Sequence, residues 1–461
     1  MSIDPIVTAR ARRQADLVAR YDGRAPRYTS YPTAVQFGPH VDEAVYRGWL
    51  AGLAADRPVS LYVHVPFCAR LCWYCGCNTR AVNRYEPVAD YLSLLLREAT
   101  LLREALPRRL AVSHIHLGGG SPNMLTPEDL DSLFAGLAGA FDIPPDVQLA
   151  AELDPAHLTR DWVEAAAFHG LNRASLGVQN LDPAVQQAIN RQETFEQVAD
   201  AVGWLRDAGV GSVNIDLMYG LPHQTVANTL STLEAIVGLA PERIALFGYA
   251  HVPWMKAHQQ LIDEAALPGP VARLDQAEQA AVLLAAAGYV RVGLDHFARA
   301  DDPMAQALEA GALRRNFQGY TTDDAEVLLG LGASAIGRLP QGFVQNAAQE
   351  VTWRAAVAAG RLPVARGAEL TADDRFRGEI IERLMCDLSV DLEAVCRKHR
   401  RVLADLAGDI EALAPFLADG LVRLEGARLR VVGDGRLVVR SVCAAFDTYF
   451  APEAGRHSRA L

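Results

Sequence analysis

The chain has 461 residues, of which 50% are hydrophobic and 21% are charged, and its formal net charge is -11. This globular composition suits a large catalytic domain with one smaller domain. The acidic balance argues against a general nucleic-acid binder, and no apolar run reaches the roughly 18 residues that a membrane span needs.

Residues 1–50 are predicted to form an N-terminal arm that lacks a long periodic apolar pattern. The arm is rich in arginine: Arg10, Arg12, Arg13, Arg20, Arg24 and Arg27. These side chains suit either a solvated basic arm or a lid that meets a polyanion, because the arginine fork matches carboxylates.

Residues 51–365 are predicted to form the main domain, an α/β unit. Short apolar runs predict strands at 59–65, 112–117, 147–153, 172–178, 211–217, 243–249 and 289–294. Amphipathic stretches predict helices at 88–105, 127–140, 195–208, 225–238 and 271–287. This alternation indicates a parallel sheet covered by helices, as in an open or incomplete (β/α) barrel, with ligand-binding residues where the strands end.

Residues 366–461 are predicted to form a smaller, mainly helical C-terminal domain, which a connecting stretch at 300–365 joins to the strands. Two or three helices and a β-rich end at 421–440, with a turn at Gly433-Asp434-Gly435, predict a winged-helix-like unit. That shape often binds DNA, but the acidic background favours a substrate cover or a packing module.

Four of the seven cysteines, Cys68, Cys72, Cys75 and Cys77, follow the first predicted strand. No leader-like segment precedes them, so we expect a soft metal centre rather than disulfides. Three thiolates at C-x3-C-x2-C can bind three corners of a [4Fe–4S] cluster. Cys77 could bind the fourth iron, although it follows Cys75 by only two residues and the reach would be tight. Zinc, which usually takes a second C-x2-C pair, and four unrelated buried cysteines are the alternatives.

Polar residues at other strand ends have both structural and functional interpretations. Glu152 suits a solvated strand-end charge, and the glycines at 118–120 suit any tight turn. Asp216 lies in an apolar strand and needs a partner, because burying an unpaired carboxylate is costly. That partner is either a bound ligand or Arg191 in a structural ion pair.

The cysteine run resembles the signature of radical S-adenosylmethionine (radical SAM) enzymes, and its extension by Cys77 resembles the oxygen-independent coproporphyrinogen III oxidases. Further segments similar to that family lie at 26–33, 295–298, 315–322 and 446–449. The resemblance covers nearly the whole chain and implies a partial (β/α)6 barrel of radical SAM type.

The resemblance also implies cofactors and the residues that bind them. One [4Fe–4S] cluster would be held by Cys68, Cys72 and Cys75, with Cys77 needed for activity but not a ligand. Two S-adenosylmethionine molecules are expected. Their implied contacts are Gly119 and Glu152 for the first, Gly120, Ser121, Gln179, Arg191 and Asp216 for the second, and Tyr62, Tyr74, Ala250 and Ile336 in addition. Ser121 and Tyr74 depart from the Thr and Phe that are usual in the family.

The implied activity is the anaerobic oxidative decarboxylation of two propionates of coproporphyrinogen III to vinyl groups by 5′-deoxyadenosyl radical chemistry, giving protoporphyrinogen IX in haem biosynthesis. An electron donor such as a flavodoxin or ferredoxin, a monomeric state and a cytoplasmic location are also expected. The first alternative is a haem-binding or haem-trafficking relative, which usually lacks Cys77 and the arm and carries His at the position of Arg315. A zinc-dependent winged-helix regulator is the second.

Overall fold

The structure, a computed structural model, describes residues 13, 15–23, 25–54 and 56–450. Its strands are β1 Val59–Val65, β2 Phe67–Cys68, β3 Arg80–Ala81, β4 Val112–Gly119, β5 Gln148–Leu153, β6 Leu171–Gln179, β7 Ser212–Tyr219, β8 Arg243–Gly248, β9 Tyr289–Val292, β10 His296–Arg299, β11 Arg314–Asn316, β12 Gly319–Thr321, β13 Leu328–Leu331, β14 Ile336–Leu339, β15 Gly342–Asn346, β16 Val364–Glu369, β17 Ser389–Asp391, β18 Val422–Glu425 and β19 Arg428–Val431.

The α-helices lie mostly between these strands. They span Glu43–Ala51, Glu86–Ala105, Pro127–Ala140, Arg160–Phe168, Pro183–Ala188, Phe195–Asp207, Val226–Gly238, Pro270–Ala286, Pro303–Glu309, Glu350–Ala358, Ala372–Asp387, Leu392–Lys398, Ala407–Ala412, Ala414–Ala418 and Val439–Ala444. Residues 15–21 are helical as well. Among the described residues, no helix combines the length and the apolar character that a membrane span requires.

One large sheet organises the molecule. Its strand order is β16-β15-β14-β13-β1-β4-β5-β6-β7-β8-β10-β9. Within this sheet the six strands β1, β4, β5, β6, β7 and β8 are parallel. The strand β13 pairs with β1 and is also parallel to it. The predicted partial six-stranded barrel is therefore confirmed. Each of its six strands begins and ends within two residues of the predicted bounds.

The two faces of the parallel strands differ in polarity. In β7 the side chains of Val213, Ile215 and Leu217 are buried in the main hydrophobic core, whereas Asn214 and Asp216 point to the other face. The neighbouring strands follow the same alternation, since successive side chains of a strand point to opposite faces. The interior of the barrel is thus lined with polar groups.

Local sequence fixes where several outer helices begin. Thr126, Thr194, Thr225 and Thr371 each cap a helix, and the residue three positions later returns a hydrogen bond to the backbone of the capping threonine. Such reciprocal caps satisfy amide groups that the helix itself leaves free.

A second hydrophobic core joins the N-terminal arm to the C-terminal helices. Leu17, Tyr28 and Tyr31 are buried in it together with Phe376 and Phe446, among others. The hydroxyl group of Tyr28 donates a hydrogen bond to the Asp447 carboxylate at 3.0 Å. The arm therefore packs on the C-terminal region.

Three details differ from the sequence prediction. The run at 289–294 forms β9, which pairs antiparallel with β10 at one edge of the sheet. The connecting stretch contains β13, β14 and β15, which extend the sheet at its other side. The C-terminal hairpin joins β18 and β19, so its turn lies at Gly426, while 433–438 is a 3-10 helix.

Candidate active site

The cysteine run forms a loop at the C-terminal end of β1. Cys68 and Cys75 are half-buried, Cys72 is buried, Cys77 is exposed, and all four are free thiols. The short strands β2 and β3 pair in parallel across the base of this loop. The thiols thus lie at the mouth of the barrel, where the parallel strands end.

Two neighbouring segments hold the backbone of the loop. From one, Ile189 accepts a hydrogen bond from the Trp73 amide at 3.0 Å, and the Asn190 side chain donates to the Leu71 carbonyl at 3.0 Å. From the other, three side chains donate to loop carbonyl groups at 2.7–2.9 Å: Lys256 to Cys77, His258 to Cys75 and Gln259 to Tyr74. The protein therefore fixes the loop from both sides.

The thiols differ in acidity. Hydrogen bonds from Cys77, with the positive ends of His258 and Lys256 nearby, lower the pKa of Cys75 to about 6. Burial raises the pKa of Cys68, which also contacts the Thr79 hydroxyl at 3.2 Å. Because the thiolate is the form that binds a metal, Cys75 is the thiol best prepared for ligation.

The donor set fits a cluster better than a single ion. Within the described ranges, no group of three or more His, Cys, Asp or Glu side chains forms a site for one metal ion. Cys68, Cys72 and Cys75 are instead separate free thiols on one loop. A multi-iron cluster takes one thiolate at each of several irons, which suits this arrangement.

Cys77 combines accessibility with desolvation. Its side chain is exposed, yet its pKa is raised by the hydrogen bond with Cys75 and by burial. Its backbone amide donates to the Cys75 sulfur at 3.4 Å, so the two residues are held together.

The glycine run after β4 is required by close contacts. A Cβ at Gly119, whose φ is +111°, would lie 2.5 Å from the His64 ring, and a Cβ at Gly120 would lie 2.5 Å from the Phe67 carbonyl oxygen. The amides of Gly120 and Ser121 donate to the carbonyls of Val65 and Phe67. These amides are already engaged, and the close contacts leave no room for a side chain at either glycine.

Ser121 lies close to a predicted cluster ligand. Its hydroxyl donates to the Cys68 sulfur at 3.6 Å. The hydroxyl that Ser121 shares with threonine is thus directed at Cys68.

Glu152 is fixed in the barrel interior opposite the glycine run. One carboxylate oxygen accepts a hydrogen bond from His116 at 2.9 Å, and the other accepts from the Gly119 amide at 3.2 Å. Burial opposes ionisation, but these hydrogen bonds hold the pKa of Glu152 below its ordinary value. The side chain retains 36% of its exposure, so an ionised carboxylate faces the cavity rather than bulk solvent.

Asp216 finds its partners on its own side of the sheet. Its carboxylate accepts hydrogen bonds from Ser175 at 2.8 Å and from Asn214 at 2.7 Å. Arg191 pairs instead with Asp154 at 3.0 Å. The predicted alternative of an Asp216–Arg191 ion pair is therefore wrong. Burial raises the pKa of Asp216 in spite of its two donors.

Gln179 and Arg191 lie together above Gly177. A Cβ on Gly177 would be 3.2 Å from the Gln179 amide nitrogen and 3.5 Å from an Arg191 nitrogen. In the sheet, Gly177 is the direct neighbour of Asp216. Three of the five residues predicted for the second cofactor molecule, Gln179, Arg191 and Asp216, thus lie around one point on β6 and β7.

The four remaining predicted contacts lie around the mouth. Tyr62 points inward and its hydroxyl meets His64 at 3.0 Å. Tyr74 packs on the apolar cluster that contains Tyr249, next to half-buried Ala250. Ile336 opens β14 and touches Gly330, the sheet neighbour of Tyr62.

A buried acid supports the loop between β13 and β14. Glu98 accepts hydrogen bonds from the Gly332 amide, the Asn346 side chain and the Trp353 ring at 2.6–2.9 Å. Burial raises the pKa of Glu98 to about 7. A Cβ at Gly332 would lie 2.6 Å from the His64 carbonyl oxygen, so this loop packs closely on β1. The hydrogen bond from the Gly332 amide to Glu98 holds the loop in that position.

Two outcomes concern residues outside the predicted site. Of the arm arginines, Arg13 and Arg20 pair with Asp434 and Asp419 of the C-terminal region, so they hold the arm in place. Arg10, Arg12 and Arg24 lie outside the described residues. The sequence prediction missed Glu98, whose partners come from distant segments at 332, 346 and 353. It also missed the donors Lys256, His258 and Gln259, because their short segment has no periodic signal.

Comparisons with known proteins agree with this geometry. A family model described as the Radical SAM superfamily matches residues 62–236, and one described as the HemN C-terminal domain matches residues 370–438. The oxygen-independent coproporphyrinogen III oxidase of Bradyrhizobium diazoefficiens is 52% identical, over 97% of this chain and 100% of that protein. The Escherichia coli protein of the same name is 37% identical, over 95% and 96%.

A solved structure extends the similarity to three dimensions. It is described as coproporphyrinogen III oxidase (HemN) from Escherichia coli, a radical SAM enzyme. It has 36% sequence identity and a TM-score of 0.89, and the match covers 95% of this chain and 99% of that one.

Proposed function

The chain belongs to the oxygen-independent coproporphyrinogen III oxidases, a family of radical SAM oxidoreductases, and we propose that it converts two propionates of coproporphyrinogen III to vinyl groups without oxygen. The product would be protoporphyrinogen IX, in haem biosynthesis. The observation that carries the proposal is the loop of three free thiols at the barrel mouth, opposite Glu152 and Gly119.

The cysteine loop is proposed to hold one [4Fe–4S] cluster through Cys68, Cys72 and Cys75. When bound, the cluster and S-adenosylmethionine supply an electron and a radical that removes hydrogen from the substrate. The protein orients the loop by hydrogen bonds with residues 189–190 and 256–259. The low pKa of Cys75 supports its role as a thiolate ligand.

Two S-adenosylmethionine molecules are proposed at the mouth. Glu152 and Gly119 would bind the first, since the ionised carboxylate attracts a positively charged amino group or accepts ribose hydroxyls. Gly120, Ser121, Gln179, Arg191 and Asp216 would bind the second. The grouping of the last three residues around Gly177 supports the second site. Tyr62, Tyr74, Ala250 and Ile336 would complete the walls.

Cys77 is proposed to act beside the cluster rather than on it. Its thiol is exposed, and its pKa is raised by the hydrogen bond with Cys75, so it is held as a neutral donor next to a predicted ligand. A neutral thiol can give a hydrogen atom or a proton to a bound substrate.

The electron donor, oligomeric state and cell compartment are further parts of the proposal. We expect a flavodoxin or ferredoxin as donor, a monomeric enzyme and a cytoplasmic location. The seven free thiols suit a reducing compartment.

The test is anaerobic incubation of the reconstituted protein with S-adenosylmethionine, a reductant and coproporphyrinogen III. We expect 5′-deoxyadenosine and protoporphyrinogen IX to appear together. Haem binding without either product would favour the trafficking alternative. Against that alternative, the chain has Cys77, the arm, and Arg315 stacked on Tyr320 at 4.3 Å.

A further inference from the structure

Six arginines from six segments converge beside the far wall of the barrel mouth. This arginine cluster consists of Arg27, Arg273, Arg291, Arg315, Arg436 and Arg440. They come from the arm, the helix Pro270–Ala286, β9, β11, the 3-10 helix Gly433–Val438 and the helix Val439–Ala444. No sequence motif joins them.

Side-chain contacts place the cluster where β7 and β8 end. Gly220 and Gly248 directly follow or end these strands, and a Cβ on either would lie within 3.4 Å of the Arg273 side chain. Arg315 stacks on the Tyr320 ring at 4.3 Å. The amide of Leu294 in turn donates to the Tyr320 hydroxyl at 3.0 Å, next to Asp295 and His296. The cluster thus borders the cavity that Asp216 faces.

Five of the six guanidinium groups donate hydrogen bonds to backbone carbonyls. The hydrogen bonds are Arg273 to Tyr249 at 2.8 Å, Arg291 to Leu294 at 3.4 Å, Arg315 to Arg27 at 3.4 Å, Arg436 to Gly293 at 2.7 Å and Arg440 to Ala25 at 3.3 Å. A carbonyl fixes the position of a guanidinium group without neutralising its charge.

Several donors of the cluster remain unused among the described residues. The Nε groups of Arg273, Arg291 and Arg315, and Nη1 of Arg315, are buried and have no hydrogen-bond partner there. Asp295 is the acid that attracts both Arg27 and Arg315, but its carboxylate is shared with His296 at 2.7 Å. Leaving a buried donor without a partner is unfavourable, and more so when the donor is charged.

The charges of the cluster repel each other. Burial, and then the neighbouring Arg291, lower the pKa of Arg436 to about 10, while burial and Arg27 do the same for Arg440. Burial also lowers the pKa of Arg27, although its side chain is exposed. Arg27 is thus the accessible member of a group of neighbouring positive charges, which an anionic ligand would offset.

We propose that the arginine cluster binds the carboxylates of the tetrapyrrole that the reaction leaves intact, and so orients the reacting propionates toward the cysteine loop. This rests on the proposed function. Arginine is suited to the task because its planar fork binds a carboxylate through two parallel hydrogen bonds. Several arginines around one rim would hold a ligand with several carboxylates, while Tyr320 and Tyr219 offer flat surfaces beside them.

The test compares binding of coproporphyrin III, which is stable in air, with binding of its tetramethyl ester, which lacks the charges. For the wild-type protein we expect the acid to bind at least about tenfold more tightly than the ester. In Arg436→Gln and in Arg291→Gln this acid-to-ester ratio should fall toward one, with S-adenosylmethionine binding unchanged. Arg20→Gln, on the outer side of the arm, is the matched control and should keep the wild-type ratio.

The ratio distinguishes a binding role from a structural one. A variant that merely folds poorly would weaken the acid and the ester equally and leave the ratio at its wild-type value, which would overturn the proposal. An unchanged ratio with unchanged affinities would overturn it too. If the wild type turns over coproporphyrinogen III but the ratio does not respond, the inference alone fails. Absence of turnover in the wild type would count against the proposed function itself.

Discussion

The cysteine loop and the arginine cluster border the same barrel mouth, yet they treat their polar groups in opposite ways. The ten residues 68–77 are consecutive, and the loop carbonyls at 71, 74, 75 and 77 are bonded by donors from neighbouring segments. The arginine cluster is assembled from six segments and keeps buried donors without described partners. A resident cofactor needs a loop whose own hydrogen-bonding groups are already satisfied. A substrate that enters and leaves needs hydrogen-bond donors that have no partner within the protein.

Loss of a cluster ligand should have the largest effect. Cys75→Ala removes the thiol whose pKa is lowered to about 6, and we expect no iron–sulfur absorbance and no cleavage of S-adenosylmethionine. Iron and sulfide analysis of the reconstituted variant measures this directly. Cys396→Ala, a buried cysteine of the C-terminal core, is the control and should retain the cluster. A Cys75→Ala protein with a full cluster would rule out the assignment.

Cys77→Ala should abolish product formation without affecting assembly of the cluster. We expect normal iron and sulfide content, because Cys77 holds the Cys75 sulfur through its backbone amide, which alanine retains. Product formation should nevertheless be lost, since the exposed thiol is gone. An iron content as low as in Cys75→Ala would make Cys77 a ligand.

The proposed second cofactor site should respond without disturbing the first. Asp216→Asn changes a carboxylate that Ser175 and Asn214 hold in the barrel interior. We expect the bound S-adenosylmethionine to fall from about two molecules per chain toward one, with the cluster intact. Equilibrium binding of labelled cofactor measures the stoichiometry, with Asp200→Asn, on an exposed helix face, as control.

Two results would contradict the role of Asp216 in binding a second cofactor molecule. One bound molecule in the wild type, or unfolding of Asp216→Asn, would leave Asp216 as a structural residue. Gln179→Ala tests the same site from a different strand, so agreement between the two variants would not depend on either one alone.

The smallest expected effect is on the pH dependence of stability, through Glu98, which holds the loop between β13 and β14. Its folded-state pKa of about 7 lies above the ordinary 4.5, so the folded protein binds the extra proton. Its contribution to stability is therefore complete below about pH 4.5 and lost as the pH rises through about 7, in total about 3 kcal/mol.

Denaturant unfolding between about pH 5 and pH 8 tests this linkage. The free energy of unfolding should fall more steeply with rising pH in the wild type than in Glu98→Gln, which cannot ionise. Glu104→Gln, an exposed acid on the same helix, should follow the wild type. Parallel profiles for Glu98→Gln and the wild type would contradict the raised pKa.

The sequence predicted what depends on neighbouring residues. The six barrel strands and five outer helices follow from periodicity, and the cysteine loop follows from spacing. The strands β13 to β15 were missed because they are short and glycine-containing. Glycine is needed in β15 because β16 approaches closely there: a Cβ at Gly342 would collide with the carbonyl oxygen of Ala368 in β16.

The partners of buried charges were not predictable from the sequence. The sequence leaves an ion pair with Arg191 open as one alternative for Asp216, but the loop after β5 brings Asp154 to Arg191 at 3.0 Å. The arginine cluster had no signal at all, since its members are separated by up to several hundred residues. From the sequence, Arg315 belongs to a family segment and separates this chain from the trafficking relatives, and Arg27 belongs to a basic arm.

The second hydrophobic core has a consequence for the order of biosynthesis. Leu17, Tyr28 and Tyr31 leave the ribosome early, but the residues that bury them, up to Phe446, leave last. The whole barrel through β16 can fold in the interval while the arm waits without its partner surface. Completion of the chain then brings the arm and the C-terminal helices together.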